Sequence, residues 1–286
     1  MGIDVHALNL LRFAAARKPF GRVATIGRQG LHVPPEKVRK LLNLNQEIDY
    51  GKYCEDLLKA QFGAKSVDSF DNSDYEGATH IVDMNVRLKK QYRYDTVIDG
   101  GSLEHIYNAP QALKNLSEMC EEGGQILHML PANNFCGHGF WQFSPELFFS
   151  LYSGKNGYVE TQVFLADLSN EYFWYEVSRT DGERANVTSG GPLCNMVRTE
   201  KRSFFSHEDI QQSDYLRLWH PTDSMERTRE NRSLERRIKQ TVGKLPFESL
   251  ARLAWKRLKN ALPAKTALSN RNPCLVRRAV ADLIAS

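Results

Sequence analysis

The stretch YDTVIDGGSLEHIYNAPQALKNLSEMCEEGGQILHMLPANNFCGHGFWQFSP, residues 94–145, decides the fold prediction. It divides into a strand, a polar segment, a helix, a Gly-Gly turn, a second strand and a second polar segment, which together are half of an α/β crossover unit. Val97 and Ile98 belong to the apolar run of a buried parallel strand. Ligands of open α/β sheets bind beyond the carboxyl ends of the strands. Both polar segments are therefore candidate binding sites.

The helix of this stretch is predicted over 109–120, because apolar residues such as Leu113 and Leu116 recur there at near-helical spacing. Gly123 and Gly124 are predicted to stop it, since glycine is the usual residue just past a helix end. The second strand is predicted over 125–130. The stretch thus indicates helices packed on a parallel sheet.

Length and charge set limits on function. The chain has 286 residues with 41% apolar content, enough for one large domain with appendages or for two small ones. From Met225 onward there are 15 Lys and Arg against 5 Asp and Glu. The preceding residues carry 23 Lys and Arg against 29 Asp and Glu. A basic tail on an acidic body suggests nucleic acid, an anionic membrane or an acidic protein surface as partner. The alternative is a helical appendage whose Lys and Arg face water.

Five widely spaced cysteines with no CxxC pair indicate a reducing compartment. Asp4, His6 and Arg12 interrupt the apolar residues near Met1, and no stretch approaches the length of a membrane span. We therefore predict a cytoplasmic protein, and a peripheral membrane association stays open.

The chain before residue 94 supplies further strands with polar ends. Helices are predicted over 5–16, 36–42 and 52–62, and strands over 22–26, 66–70 and 80–82. With the strand that starts at Tyr94, four strands end in a glycine or an acidic residue, namely Gly27, Asp71, Asp83 and Asp99. Four such ends indicate a nucleoside pocket. For Asp71, a structural role in an Asx turn or as a helix cap fits the spacing as well as binding a nucleoside does.

This succession of motifs resembles class I methyltransferases that use S-adenosylmethionine. The segment DTVIDGGSLEHIYNAPQALKNLSEMCEEGGQIL is similar to the family's fourth strand, helix and fifth strand, and the resemblance covers residues 22–170. VETQVFLADL and EYFWYEV resemble the antiparallel strands that close the family's sheet. The resemblance implies a Rossmann-like α/β sheet, mostly parallel with an antiparallel closing strand. The segment HGFWQFSPELF further resembles bacterial members that methylate sugars or other small molecules in glycan and natural-product pathways.

Domain boundaries follow from the extent of the resemblance. We predict an N-terminal helix over 1–20, a methyltransferase domain over 21–205 and a basic, mainly helical extension over 206–286. Residues 247–262 place leucines on one face and basic residues on the other, which is typical of an amphipathic basic helix. It could lie on a membrane, contact a second subunit or pack on the catalytic domain.

The cofactor contacts are carried over from the family. Gly27 and Gly30, with backbone near Gln29, would cradle the methionine part of S-adenosylmethionine, and Asp71 would hold the ribose hydroxyls. The remaining contacts involve residues after the third and fourth strands. Asp83 would accept the adenine amino group, Met84 would pack on the ring, and Asp99 and Gly100 would line the sulfonium side.

The acceptor side is predicted from the polar segment after the fifth strand. A methyl transfer to a hydroxyl needs in-line alignment and removal of a proton, and histidine suits proton transfer near neutral pH. His138 is the predicted base and His105 the second candidate, with a structural or surface histidine as the alternative for each. The predicted substrate-binding residues are Asn133, Asn134, Trp141 and Tyr172. No stacking platform for nucleic acid is visible, so we predict a small-molecule acceptor.

No resident metal ion is predicted. Quinone-pathway O-methyltransferases bind a divalent ion through an ExxEH cluster, of which this chain matches only Glu104 and His105, and Gly101 stands at the first carboxylate position. A metal site would need another carboxylate, such as Asp167 or Glu171. The function hypothesis is an S-adenosylmethionine-dependent O-methyltransferase of a sugar or another small hydroxylated metabolite. The alternative is a non-catalytic methyltransferase-like binding or scaffold protein, suggested by the altered glycine loop, TIGRQG, and the basic tail.

Overall fold

The computed structural model describes residues 2–178, 185–205, 210–219 and 267–285. Its strands are β1 (Gly2–Ile3), β2 (Gly21–Ile26), β3 (Gly30–Leu31), β4 (Ala64–Asp71), β5 (His80–Ile81), β6 (Tyr94–Asp99), β7 (Cys120–Asn133), β8 (Tyr158–Asp167), β9 (Phe173–Val177), β10 (Leu193–Lys201) and β11 (Leu275–Ala279). Its helices are α1 (Val5–Ala15), α2 (Pro35–Leu42), α3 (Glu55–Phe62), α4 (Ala109–Met119), α5 (Pro145–Leu151), α6 (Ser213–Trp219) and α7 (Val280–Ala285).

Nine strands form one sheet in the order β11-β9-β8-β10-β7-β6-β2-β4-β5. The five strands β5, β4, β2, β6 and β7 are parallel to one another in that order. Strand β10 lies between β7 and β8 and is antiparallel to both. This is a Rossmann-like α/β fold, so the predicted fold class is confirmed. The chain runs outward from β2 to β4 and β5 and then returns to β6 on the other side of β2. The switch point between β2 and β6 is where ligands of such sheets bind.

Both faces of the central strands β2, β6 and β7 are buried over their apolar runs, as those runs predict. Neighbouring residues on a strand point to opposite faces. Val97 and Ile126 accordingly belong to the core beneath α4 and α5, whereas Ile98 and Leu127 belong to the core beneath α1 and α3. The alternation in β6 and β7 thus determines which helices can pack on each face.

The helix after β6 has a clear start and an early end. Asn108 caps α4 by accepting a hydrogen bond from Gln111 N, and Pro110 occupies its first turn. The prediction that Gly123 and Gly124 stop this helix is wrong, because α4 ends at Met119 and both glycines lie inside β7. A Cβ at Gly124 would lie 2.9 Å from Asp95 O. Glycine is needed there so that an irregular strand can pass close to β6.

The half of the sheet that contains β10, β8, β9 and β11 differs from the predicted antiparallel closing pair. VETQVFLADL forms most of β8 and EYFWYEV contains β9, but β10 inserts beside β7 and was not predicted. The final strand, β11, pairs antiparallel with β9 and comes from the predicted helical extension. Residues 275–279 of that extension therefore belong to the sheet.

Several predictions fall on parts of the chain outside the described residues. They include the amphipathic basic helix over 247–262, with its proposed membrane or subunit contact. Among the helices that the structure does describe, none combines the length and apolar character needed to cross a membrane. The cytoplasmic location and the domain boundaries at residues 20 and 205 stay predictions.

Candidate functional site

The first wall of the candidate site is the turn that follows β6. Asp99 Oδ1 accepts hydrogen bonds from Ser102 N at 3.0 Å and Leu103 N at 3.3 Å. These bonds fold the chain back into a single 3₁₀ turn, Leu103–His105. The turn places Glu104 and His105 beyond the carboxyl end of β6, beside the switch point.

The second wall is the loop 134–142 after β7, which folds onto this turn. Glu104 O accepts hydrogen bonds from Phe140 N at 2.6 Å and Trp141 N at 3.3 Å, and the Trp141 indole donates to Ile106 O at 3.0 Å. Gly139 has a φ of 70°, and a Cβ there would lie 2.7 Å from Glu104 O. Only a glycine permits this close crossing without strain. The crossing brings His138 over Glu104.

Glu104, His105 and His138 form the polar cluster of the site. Their ligand-type side-chain atoms all lie within 4.8 Å of one another. His138 Nε2 lies 3.5 Å from Glu104 Oε1, and the two imidazole rings meet edge to face with centroids 4.9 Å apart. Both histidines are exposed, whereas Glu104 is 2% exposed. The cluster therefore consists of a buried carboxyl group and two exposed imidazoles.

The electrostatics of the cluster follow from burial. Desolvation, and then the nearby negative charge of Asp99, raise the pKa of Glu104 to about 8. Desolvation lowers the pKa of His105, and repulsion from His138 adds to the effect. Glu104 Oε2 is buried and has no hydrogen-bond partner among the described residues.

A second, fully buried network supports the first wall. Asp99 and His128 are paired in register across β6 and β7, and Asp99 Oδ2 lies 3.0 Å from His128 Nδ1. His128 Nε2 lies 2.7 Å from the hydroxyl of Tyr152. With the carboxylate as acceptor, the network assigns the proton to Nδ1 and makes Nε2 the acceptor of the Tyr152 hydroxyl. Burial raises the pKa of Tyr152, so its hydroxyl stays a donor.

This network corrects the predicted role of Asp99. Its side chain is fully buried, and both oxygens are engaged by His128 and by backbone N–H groups of the turn. The carboxylate therefore holds the turn that carries Glu104, rather than lining the sulfonium side. Gly100 is also buried, since it packs against Gln29.

The glycine loop after β2 differs from the open cradle that was predicted. The Gln29 side chain is 1% exposed, and its Nε2 donates to Ile26 O and lies 3.4 Å from Ser102 Oγ. Gly30 pairs with Gly2 in a short two-stranded sheet. Gly27 keeps a φ of 71° at the strand end. The amide of Gln29 thus fills the turn, and the predicted cradle residues bind protein groups.

Replacing Gly100 with alanine is expected to lower the free energy of unfolding by about 1–3 kcal/mol, because the new Cβ would overlap the buried Gln29 Oε1. Urea denaturation would measure the change. Gly154→Ala is the matched control, since nothing lies within 4 Å of a Cβ at that position. Equal stability of the two variants would contradict the close packing of Gln29 on Gly100.

The residues predicted to bind the ribose and adenine have different environments. Asp71 Oδ1 accepts a hydrogen bond from Ser73 N at 3.2 Å, so the Asx-turn alternative is present. Asp83 is exposed and accepts from Asn85 N at 2.8 Å. Met84 is 4% exposed and belongs to the hydrophobic core, and its packing on the adenine ring stays a prediction. The ribose and adenine contacts of Asp71 and Asp83 stay predictions.

The predicted acceptor residues do not form one wall. Trp141 is 40% exposed and stands beside the cluster, and Asn133 lies at the end of β7. Asn134 has its amide engaged by Ser189 and Gly191, so it holds the loop 185–191 rather than a substrate. Tyr172 is exposed just before β9, three strands from β7. At about 4.8 Å per strand this is roughly 14 Å away.

Sequence reasoning missed two contributors to the site, His128 and Tyr152, and for Gln29 it predicted a backbone contact rather than a side-chain role. Gln29, His128 and Tyr152 are all buried polar side chains whose roles depend on partners elsewhere in the chain. A signal existed for His128, because it interrupts the apolar run QILHML. No comparable signal marked Tyr152, which lies among other aromatic residues in FFSLY.

Comparisons with known proteins give only structural likenesses. No protein-family model matches the chain, and no curated protein does. Among solved structures, TehB from Haemophilus influenzae is 15% identical with a TM-score of 0.38, and the match covers 68% of this chain and 62% of TehB. The match thus spans less than two thirds of that protein.

Two further solved structures are named as methyltransferases. The N-methyltransferase NodS from Bradyrhizobium japonicum WM9 is 12% identical with a TM-score of 0.40, and the match covers 68% of this chain and 94% of NodS. The second is the O-methyltransferase from a trans-AT PKS multienzyme of Brevibacillus brevis, in complex with S-adenosyl-L-homocysteine. It is 10% identical with a TM-score of 0.38, and the match covers 68% of this chain and 71% of that protein. Likenesses this weak carry no argument about the reaction of this chain.

Proposed function

We propose that this chain is an S-adenosylmethionine-dependent methyltransferase that acts on an oxygen of a sugar or another small hydroxylated metabolite, in glycan or natural-product biosynthesis. The observation that supports the proposal is the convergence of Glu104, His105 and His138 beside the switch point of a Rossmann-like sheet. In this arrangement the loops after β2, β4 and β5 hold the methyl donor, and the loops after β6 and β7 hold the acceptor.

The residues at the donor end fit S-adenosylmethionine in two respects. Asp71 lies at the end of β4, where a carboxylate can accept bonds from a ribose diol. Gln29 Oε1 is a buried acceptor without a partner among the described residues, as expected for a group that awaits a donor such as an α-amino group. When bound, the cofactor supplies a methyl group already activated by a sulfonium.

The protein's share of the reaction is alignment and proton removal. Trp141 gives the acceptor an exposed aromatic face, and sugar rings pack on such faces. His138 lies on the acceptor loop with an exposed imidazole, and its Nε2 is 3.5 Å from Glu104 Oε1. The hydroxyl proton is removed at this cluster as the oxygen attacks the methyl carbon.

Calorimetric titration with S-adenosylmethionine and with S-adenosylhomocysteine tests the proposal. Heat of binding is expected for both, and its absence for both would exclude the enzyme function. Asp71→Ala is expected to weaken binding about ten- to a hundredfold, the equivalent of losing charge-assisted hydrogen bonds to the ribose. Asp74→Ala, an exposed residue of the same turn, is the matched control. Equal affinity in the two variants would remove Asp71 from the ribose site.

One observation favours a second candidate function, a non-catalytic binding or scaffold protein. The glycine loop is filled by the Gln29 side chain, which narrows the predicted cradle. Such a protein would bind neither cofactor nor acceptor productively. Cofactor binding followed by formation of S-adenosylhomocysteine with any hydroxylated acceptor would exclude this candidate.

A further inference from the structure

The cluster of Glu104, His105 and His138 has the composition of a metal site. It offers two imidazole nitrogens and one carboxylate oxygen, all within 4.8 Å of one another. Two different segments supply them, the 3₁₀ turn after β6 and the loop after β7. The backbone bonds from Phe140 N and Trp141 N to Glu104 O hold the two segments together. The donor set is thus positioned by the fold.

The spacing of the donors suits an ion better than a direct hydrogen bond. His138 Nε2 and Glu104 Oε1 are 3.5 Å apart, beyond the usual 2.7–3.2 Å range of such bonds. Two ligands at about 2.1 Å from a tetrahedral ion are separated by about 3.4 Å. The two atoms are therefore at the distance expected of neighbours on one ion, and a rotation of the exposed His105 side chain would bring its nitrogen, within 4.8 Å of both, into the same range.

The buried carboxyl group of the cluster has an oxygen that no protein group contacts by a hydrogen bond among the described residues. This oxygen is Oε2 of Glu104, a residue that is 2% exposed. A buried carboxylate without a compensating partner is costly, and metal coordination is one of the two usual ways to stabilise it.

We propose that Glu104, His105 and His138 bind a divalent first-row transition-metal ion, with Zn²⁺ or Co²⁺ as suitable probes. Two imidazoles favour these ions over Mg²⁺ and Ca²⁺, which prefer oxygen ligands. The third ligand is thus His138 rather than the carboxylates that the sequence suggested. Asp167 accepts a bond from Ser169, and Glu171 pairs with Lys37 at 2.6 Å.

The role of the ion rests on the proposed function. Three protein ligands leave open coordination positions, which an acceptor hydroxyl can occupy. Coordination lowers the pKa of the bound hydroxyl, so its proton passes to water. The oxygen then forms a bond to the methyl carbon as the sulfonium–methyl bond breaks, and S-adenosylhomocysteine leaves with the electron pair of that bond. In the metal-bound protein His138 is then a ligand, and its imidazole does not take the proton. An acceptor with adjacent hydroxyls, such as a sugar diol, would suit the open positions.

Cobalt titration of the full-length protein tests the site without any methyl donor or acceptor. After treatment with a chelator and its removal, Co²⁺ is expected to bind with one equivalent per chain and to develop visible absorption. Glu104→Gln and His138→Ala are each expected to weaken Co²⁺ binding about tenfold or more. His105→Ala changes an exposed side chain and is expected to weaken Co²⁺ binding by a similar factor. It tests the site even if the substitution at the buried Glu104 prevents folding. His32→Ala, an exposed histidine outside the cluster, should bind as the unmodified protein does.

The outcomes separate the metal site from the proposed function. One-equivalent binding that is lost in the cluster variants supports the site even if S-adenosylmethionine gives no heat of binding. Absence of one-equivalent binding, or binding that the cluster variants leave unchanged, overturns the site even if the cofactor binds. Circular dichroism of each variant confirms that the comparison is between folded proteins.

Discussion

Replacing His128 with leucine is expected to lower the free energy of unfolding by about 3–5 kcal/mol, because the change leaves the fully buried Asp99 carboxylate without its side-chain partner. Leucine matches the volume of the site but cannot donate to Asp99 Oδ2. The Tyr152 hydroxyl would also lose its acceptor. Urea denaturation at neutral pH would measure the effect.

Two further variants sharpen this experiment. Tyr152→Phe removes only the hydroxyl that donates to His128, so a smaller loss of about 1–3 kcal/mol is expected. His32→Leu changes an exposed histidine and is expected to stay within about 0.5 kcal/mol of the unmodified protein. If His128→Leu changed the free energy of unfolding as little as His32→Leu, the network would contribute nothing measurable to stability. Asp99 would then be free for the cofactor role that the sequence suggested.

Replacing His138 with alanine is expected to lower turnover about 10²–10⁴-fold while leaving the affinity for S-adenosylmethionine unchanged. The side chain lies at the acceptor end, on the loop after β7, and the predicted donor contacts lie on other loops. Formation of S-adenosylhomocysteine with a panel of hydroxylated sugars measures turnover, and calorimetry measures affinity. Unaltered turnover would remove His138 from proton removal and from any metal-assisted step of the reaction alike.

A chelator distinguishes the two roles that His138→Ala removes together. If the imidazole is the base, chelator treatment leaves the turnover of the unmodified protein intact. If the imidazole is a metal ligand, the same treatment lowers turnover, and added Zn²⁺ or Co²⁺ restores it. His32→Ala serves as the control, because its histidine lies outside the cluster and its turnover should match that of the unmodified protein.

The near half of the sheet could be predicted from the sequence because its signals are local. The apolar runs of β2 and β6 mark buried parallel strands, and glycine or acidic residues mark the ends of β2, β4 and β6. The helix α4 was predicted to within about one residue, because its apolar spacing and its cap are both encoded within the segment itself.

Strand β10 could not be predicted, because it carries polar residues that only long-range partners make tolerable. In β10, Asn195, Arg198 and Lys201 are all nearly fully buried. Arg198 donates to Gln125 on β7, and Lys201 donates to Ser117 O and Cys120 O at the end of α4. Without these partners the segment looks like a polar surface strand or loop.

For the site, the sequence by itself determined the edge of the sheet and the residue types present there. Polar groups after β6 and β7 predicted a site beyond two adjacent strand ends, and both histidines were identified. Only the tertiary structure decided which of them act together. Burial and backbone hydrogen bonds assigned Asp99 to the turn and Asn134 to a neighbouring loop. The close crossing at Gly139 set His138 over Glu104, because contacts between distant loops depend on packing that no local pattern encodes.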